Sequence, residues 1–140
     1  MKKQGRGFTL MEVLVTLVIL GVVAGLAVPA YFNTVEQGRS NEAKVNLSII
    51  RVGEKVYYDD HNMNYWLPAA NPCTGAATLT ACTAINTALG VDITAQYFDI
   101  TSITAPGGVL SLVAKRNTVA GGTTGTPTAT MDVNGNITWS

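Results

Sequence analysis

GFTLMEVLVTLVILGVVAGLAVPAY, residues 7–31, decides how the rest of the chain is read. Almost every side chain in it suits lipid, yet one carboxylate, Glu12, stands near its front edge. Residues 13–28 carry no ionisable group, and as a helix they would span about 24 Å at 1.5 Å per residue. Extended back to Phe8 and on to Phe32, the segment is long enough for the roughly 30 Å of a bilayer's hydrocarbon core. Lys2, Lys3 and Arg6 precede it, and the positive-inside bias places that end in the cytoplasm.

The composition divides in the same way. Of the 140 residues, 47% are apolar and only 13% are charged, against roughly 25% charged in an ordinary soluble domain. The apolar excess lies in the N-terminal third, while the chain after Ala69 is dominated by Thr, Ala, Gly and Asn. The length favours one apolar N-terminal helix and one small head. The formal charge of zero hides an asymmetry: without Lys2, Lys3 and Arg6, six basic residues face nine acidic ones. That balance leaves no basic surface for a phosphate backbone, so no direct nucleic-acid partner is expected.

A secretory signal peptide would have a shorter apolar core followed by small residues at its cleavage site. Here the core is long, and Pro29 stands where such a site would fall. A plain membrane anchor fits the length but leaves Glu12 unexplained. An ionised carboxylate at the apolar end of a membrane helix costs up to a few kcal/mol, depending on depth, and by default has a functional partner. A cut after Gly7 would make Phe8 a new, positively charged N-terminus, with Glu12 one helical turn away. When identical helices stack with an axial offset, one chain's Glu12 can meet the next chain's Phe8 amine. Pairing the two offsets much of the penalty each would carry alone.

The run Gly7-Phe8-Thr9-Leu10-Met11-Glu12 closely resembles the class III signal of type IV pilins and type II secretion pseudopilins. Pro29, the twenty-second residue from Phe8, stands where many pilins have a proline. Met11 replaces the commoner Ile or Leu, an apolar exchange. The resemblance is specific over residues 7–31, fair to about Trp66 and faint beyond. It implies cleavage after Gly7 by a membrane-embedded prepilin peptidase, N-methylation of Phe8 by the same enzyme, and an assembly role for Glu12 and Pro29. It implies a precursor held in the bacterial inner membrane with its N-terminus in the cytoplasm. That precursor would then enter a homopolymer extended by an inner-membrane platform protein and an assembly ATPase. The product would be an extracellular pilus or a periplasmic pseudopilus. The expected fold is α+β: a leader at 1–7, a long helix at 8–62 with its membrane or filament-core part at 8–32, and a head at 63–140 whose small antiparallel sheet packs on that helix.

Beyond the apolar segment, Ala43, Leu47, Ile50 and Tyr57 recur at spacings that make one helix face, read as a core stripe. Glu42, Lys44, Arg51 and Lys55 fall largely off it and are expected in solvent. Pro29, Gly21 and Gly25 should loosen the helix, with partial melting on assembly, and a looser turn is expected near Gly38. Asp59-Asp60-His61-Asn62 ends it, with His61 solvated or capping. Tyr57, Tyr58, Tyr65 and Trp66 are read as core and hinge packing rather than as a binding surface.

In the head, residues 71–75 are turn-rich, 79–89 hold a short helix ended by Gly90, and 96–103 and 109–115 read as strands about a Pro106-Gly107-Gly108 turn. Residues 117–127 are a low-complexity loop. Asn134-Gly135 between 128–133 and 137–139 is a hairpin signal. Three or four antiparallel strands result. Cys73 and Cys82 suit an extracytoplasmic disulfide, with two separate buried thiols as the alternative; the bond would add about 2–3 kcal/mol. The segment around Asp132 lacks the twelve-residue pattern of an EF-hand, and a hairpin turn is the preferred reading over calcium. Asn46 and Asn136 head glycosylation patterns of little weight in a bacterial chain. No catalytic constellation is present: no nucleophile elbow, no phosphate loop and a single His61. Neither cofactor nor metal nor enzyme activity is expected. The functional readings are a pilus subunit, then a type II secretion pseudopilin, then, from another class, a monomeric membrane-anchored domain that binds a ligand through its head.

Overall fold

The computed structural model describes residues 8–69, 71–74, 80–117 and 127–140. The leader with Gly7, most of the loop expected at 117–127, and positions 75 and 79 at the edges of the predicted turn and short helix lie outside the described residues. The chain divides into two compact units, one ending at Gly38 and one from Arg39 to Ser140. Helix α1 is assigned from Leu10 to Asp60, so its C-terminal part belongs to the second unit. The assignment carries no break at Gly21, Gly25, Pro29 or Gly38, so the looser turn expected near Gly38 is absent from it. The helix ends through two left-handed residues, Asn62 and Met63, and the Met63 N–H donates to Tyr58 O at 3.0 Å. Exposed His61 stacks on Tyr57, with Nδ1 3.0 Å from Tyr57 O, at the carbonyl-rich end of the helix.

In the second unit, α1 presents Ala43, Leu47 and Ile50, all fully buried, to one hydrophobic cluster. Tyr57, Tyr65 and Trp66 lie half-buried against it, and Tyr58 meets Tyr65 ring to ring. Burial of each large aliphatic side chain contributes about 1.5–3 kcal/mol, and this holds the helix more firmly than propensity does.

Around the helix run β1 (Thr80–Ala81), α2 (Thr83–Leu89), β2 (Thr94–Ala95), β3 (Phe98–Thr104), β4 (Ser111–Arg116), β5 (Thr128–Met131) and β6 (Ile137–Trp139). β1 and β2 pair antiparallel, and β3-β4-β5-β6 form an antiparallel meander. The short helix starts later than the sequence suggests, because Thr80 and Ala81 pair with β2; Gly90 ends it as expected, with φ of 64°. Gly107 and Gly108, also at positive φ, turn β3 into β4.

Strict alternation would put Ile103 on the face opposite Phe98 and Ile100. Instead the ladder slips between Ile100 and Ser102, leaving Thr101 as an extra residue, and Phe98, Ile100 and Ile103 are all buried. A bulge of this kind re-aims the side chains beyond it. β4 buries Leu112 and Ala114 and β5 buries Ala129 and Met131, while the flanking residues are at most half-buried. The last hairpin joins β5 to β6 through residues 132–136, so β5 ends two residues earlier than the sequence suggests; the Asp132 N–H donates to Asn136 O at 3.1 Å and the Gly135 N–H to Asp132 O at 3.0 Å. The Asp132 carboxylate accepts from Asn136 N–H (2.8 Å) and Asn136 Nδ2 (2.9 Å), and Gly135 alone in the loop takes positive φ (91°). These bonds, the side-chain one foremost, hold the Asp132 carboxyl below its ordinary pKa.

Several polar residues expected in solvent or loops prove to be ties. Glu42 accepts from the backbone N–H groups of Gln96 (2.7 Å) and Tyr97 (3.0 Å), joining α1 to the entry of β3. Arg51 Nε donates to Val133 O at 2.8 Å, and its guanidinium covers Gly135 at the hairpin tip. Buried Asn46 donates to Thr94 O at 2.7 Å, which removes it as a glycosylation acceptor. Asn86 brackets Ile93 with two 3.0 Å bonds, and buried Asn117 donates to Gln96 O at 2.7 Å. Charge-assisted bonds such as those of Glu42 are the stronger class.

Cys73 and Cys82 are joined, with Cα atoms 5.0 Å apart. Cys73 sits on the open edge of β3, exchanging backbone bonds with Ile100, and Cys82 stands at the start of α2. The bond therefore ties the sheet edge to the helical layer. Replacing both with Ser is expected to lower unfolding stability by about 2–3 kcal/mol in denaturant titrations of the purified chain.

Gly53 is a helix-interior glycine with a packing reason. A Cβ there would lie 2.9 Å from Val91 Cγ1 and 3.0 Å from Leu89 Cβ, just where α2 ends against α1. Gly53→Ala would gain about 1 kcal/mol of helix propensity but overpack this contact. The expected net result is a loss of about 1–2 kcal/mol, read from the same titrations. A gain would mean that α2 can back away freely.

Candidate functional site

Among the described residues of the first unit, one acidic group stands in the first helical turn, at Glu12. Every described residue from Phe8 to Thr34 is exposed, although most are large and apolar. This part of α1 is long and apolar enough to cross a membrane. Two threonine hydroxyls within it are satisfied inside the helix: Thr16 donates to Val13 O at 2.8 Å and Thr34 to Ala30 O at 3.0 Å. That is what a segment surrounded by lipid or by other apolar helices requires. Pro29 has no N–H to give to the ladder, and helix assignment nevertheless continues through it.

Thr9 caps α1. The Glu12 N–H lies 3.2 Å from Thr9 Oγ1 and 3.1 Å from Thr9 O, and the Val13 N–H donates to Thr9 O. Thr9-Leu10-Met11-Glu12 thus has the spacing of a capping box, with an acidic residue in the first turn, where the helix dipole favours negative charge. The sequence reading passed over Thr9, although the Thr-x-x-Glu pattern ahead of an apolar run was there to be seen. Phe8 stands just ahead of the capped helix and is exposed. A backbone amine created at Phe8 would sit at the start of the turn that carries Glu12. Gly7, the predicted cleavage position, lies outside the described residues.

The second unit carries the remaining titratable group of note. Glu54 is fully buried; Oε2 accepts from the Trp66 N–H at 3.0 Å and Oε1 has no hydrogen-bond partner among the described residues. Burial pushes its pKa up to about 7, against the smaller opposing effect of the Trp66 bond. Among the described residues no cluster of three or more His, Cys, Asp or Glu side chains could hold a metal ion.

Residues 2–28 match the family model of the prokaryotic N-terminal methylation motif. The chain is 30% identical over 57 residues to a type IV major pilin protein, PilA, of Myxococcus xanthus, covering 41% of this chain and 26% of that protein. It is 30% identical over 128 residues to the fimbrial protein EcpC of Eikenella corrodens, covering 89% of this chain and 72% of that protein. It is 35% identical over 60 residues to the type II secretion system core protein G of Pseudomonas aeruginosa, covering 43% of this chain and 42% of that protein. No solved structure matches the chain significantly.

Proposed function

Because the chain belongs to the family of type IV pilins and type II secretion pseudopilins, we propose that it is a structural subunit trimmed after Gly7, N-methylated at Phe8 and polymerised through its N-terminal helix into a pilus. The observation that carries this reading is the wholly exposed apolar face of residues 8–34, interrupted at its front by Glu12. Such a surface needs lipid or copies of itself, since apolar area of this extent is not left in water. Prepilin peptidase would act on the precursor in the inner membrane, and a platform protein and an ATPase would drive extension. Glu12 and the Phe8 amine of a neighbour would fix the axial register, and Pro29 would mark where the helix loosens on assembly. The subunit itself has no enzymatic role.

The likeness to the secretion core protein favours a second reading, a pseudopilin in a short periplasmic filament. The fimbrial likeness extends over far more of the chain and weighs toward the pilus. Mass spectrometry of material sheared from native cells separates them. Abundant peptide beginning at methylated Phe8 in the sheared fraction is expected. Processed peptide confined to the membrane fraction would favour the pseudopilus, and an uncut Met1 start in every fraction would overturn both.

A further inference from the structure

Asn134 is the one asparagine of the chain that a glycine follows. Such a pair can react with itself in water. Glycine has no Cβ, so its backbone nitrogen can approach the side-chain amide of the residue before it. Attack on Asn134 Cγ forms a carbon–nitrogen bond, gives up the proton of the Gly135 nitrogen and expels ammonia. Water then opens the resulting five-membered succinimide at one carbonyl or the other. The product is an aspartate, or an isoaspartate whose main chain runs through the former side chain. Water is the only co-reactant, and nothing is oxidised or reduced.

The folded hairpin offers the side chain but withholds the nucleophile. Asn134 is exposed, and Gly135 holds φ at 91°. The Gly135 N–H is engaged, donating to Asp132 O at 3.0 Å. The bonds between Asp132 and Asn136 close the loop around it. A further restraint comes from α1. Arg51 Nε donates to Val133 O at 2.8 Å, and a Cβ at Gly135 would lie 3.3 Å from Arg51 Cζ. For attack, the Gly135 nitrogen must leave Asp132 O, lose its proton and turn toward Asn134 Cγ. Those movements work against the guanidinium laid over the glycine. The positive charge of Arg51 acts the other way, since it favours the deprotonated nitrogen. At an exposed tip water and salt screen that attraction, while the steric and hydrogen-bonded restraint is unaffected. Restraint is therefore the larger effect.

We propose that Asn134 is a site of spontaneous deamidation, braked in the folded subunit by the Gly135–Asp132 hydrogen bond and by Arg51, and released when the hairpin opens. The filament reading is not needed for it. The modification adds a negative charge beside the Arg51 guanidinium. In its isoaspartate form it also lengthens the main chain by one carbon inside a loop closed by short bonds. The strand that follows is β6, at the edge of the sheet, where Trp139 meets the Phe98 ring at 5.9 Å. The head thus carries a slow chemical record of how often this hairpin has opened.

The test incubates the full-length chain, purified in detergent, at mildly alkaline pH, either folded or in concentrated guanidinium chloride. Peptide mass spectrometry follows the exchange of ammonia for water at each asparagine. In denaturant, Asn134 is expected to react before the others. In the folded chain its rate should be at least about tenfold lower, because reaction waits on local opening. Arg51→Gln should raise the folded rate at least about threefold, the share of one lost hydrogen bond. Gly53→Ala, which disturbs the contact between α1 and α2 instead, should leave that rate unchanged. Equal rates in the folded and denatured chain overturn the brake. An unmodified Asn134 in denaturant overturns the site itself. An unchanged or slower reaction in Arg51→Gln overturns the role of Arg51. So does an equal rise in Gly53→Ala, since the effect would then be one of general stability.

Discussion

Glu12→Gln is expected to abolish filaments while cleavage after Gly7 continues, leaving processed subunits in the membrane. The substitution is chosen for what it keeps. Glutamine at the third position after Thr9 still suits a capping box, so the helix start observed at Thr9 and Glu12 is preserved. What it removes is the charge. In an apolar filament core the Phe8 amine of the neighbouring subunit would then lack its partner, and an uncompensated buried charge costs about 3–5 kcal/mol. At about 1.4 kcal/mol per tenfold, each subunit addition weakens by at least about 100-fold. Measured as pilin in the sheared fraction, with N-terminal sequencing of the membrane fraction, the outcome separates three accounts. Normal assembly of Glu12→Gln but not of Glu12→Ala would make Glu12 a capping residue only. Normal assembly of both would mean that the Glu12 side chain has no part in assembly. Loss of assembly in both, with intact processing, is the expected result.

The stability of the second unit should fall as pH rises, and Glu54 is the reason. Its carboxyl is fully buried, with one oxygen unpaired among the described residues, and its pKa is raised from 4.5 to about 7. Between these values the unfolded chain is ionised at this position and the folded chain is protonated, so folding takes up a proton. Each pH unit across that window then removes about 1.4 kcal/mol, and the loss is complete above about pH 7, reaching about 3 kcal/mol. Below about pH 4.5 both states are protonated and the penalty is absent. Glu54→Gln cannot ionise. Its amide, placed where Oε1 lacks a partner, imposes a penalty that does not vary with pH. The difference in unfolding free energy between variant and parent should therefore move by about 3 kcal/mol in the variant's favour between pH 4.5 and 8. Denaturant titrations at several pH values measure it. Asp132, held below its ordinary value, titrates beneath this window and does not confound it. A difference independent of pH would mean that Glu54 is solvated in the folded chain.

How much of this was legible in the sequence depends on how far apart the interacting residues lie. The apolar segment, the place of Glu12, the buried stripe of Ala43, Leu47 and Ile50, the stop at Gly90 and the final hairpin all rest on patterns within a few residues. Periodicity, turn chemistry and charge act over that range without help from the rest of the chain. The family resemblance was carried by the same local run. Even here one local signal, the Thr9–Glu12 capping pair, was hidden behind the more conspicuous question of the carboxylate's charge.

The tertiary structure decided what the polar residues do. Glu42 and Arg51 read as solvent-facing because their helix positions lie off the core stripe. They are ties to Gln96 and Tyr97 and to Val133, up to 82 residues away in sequence. Asn46 reaches Thr94 across 48 residues, and Glu54 is enclosed with Trp66. The bulge at Thr101 reverses which side of β3 faces the core, and no residue type in that strand announces it. Local sequence sets backbone preference and apolar pattern. Which donor meets which acceptor follows from how distant segments pack.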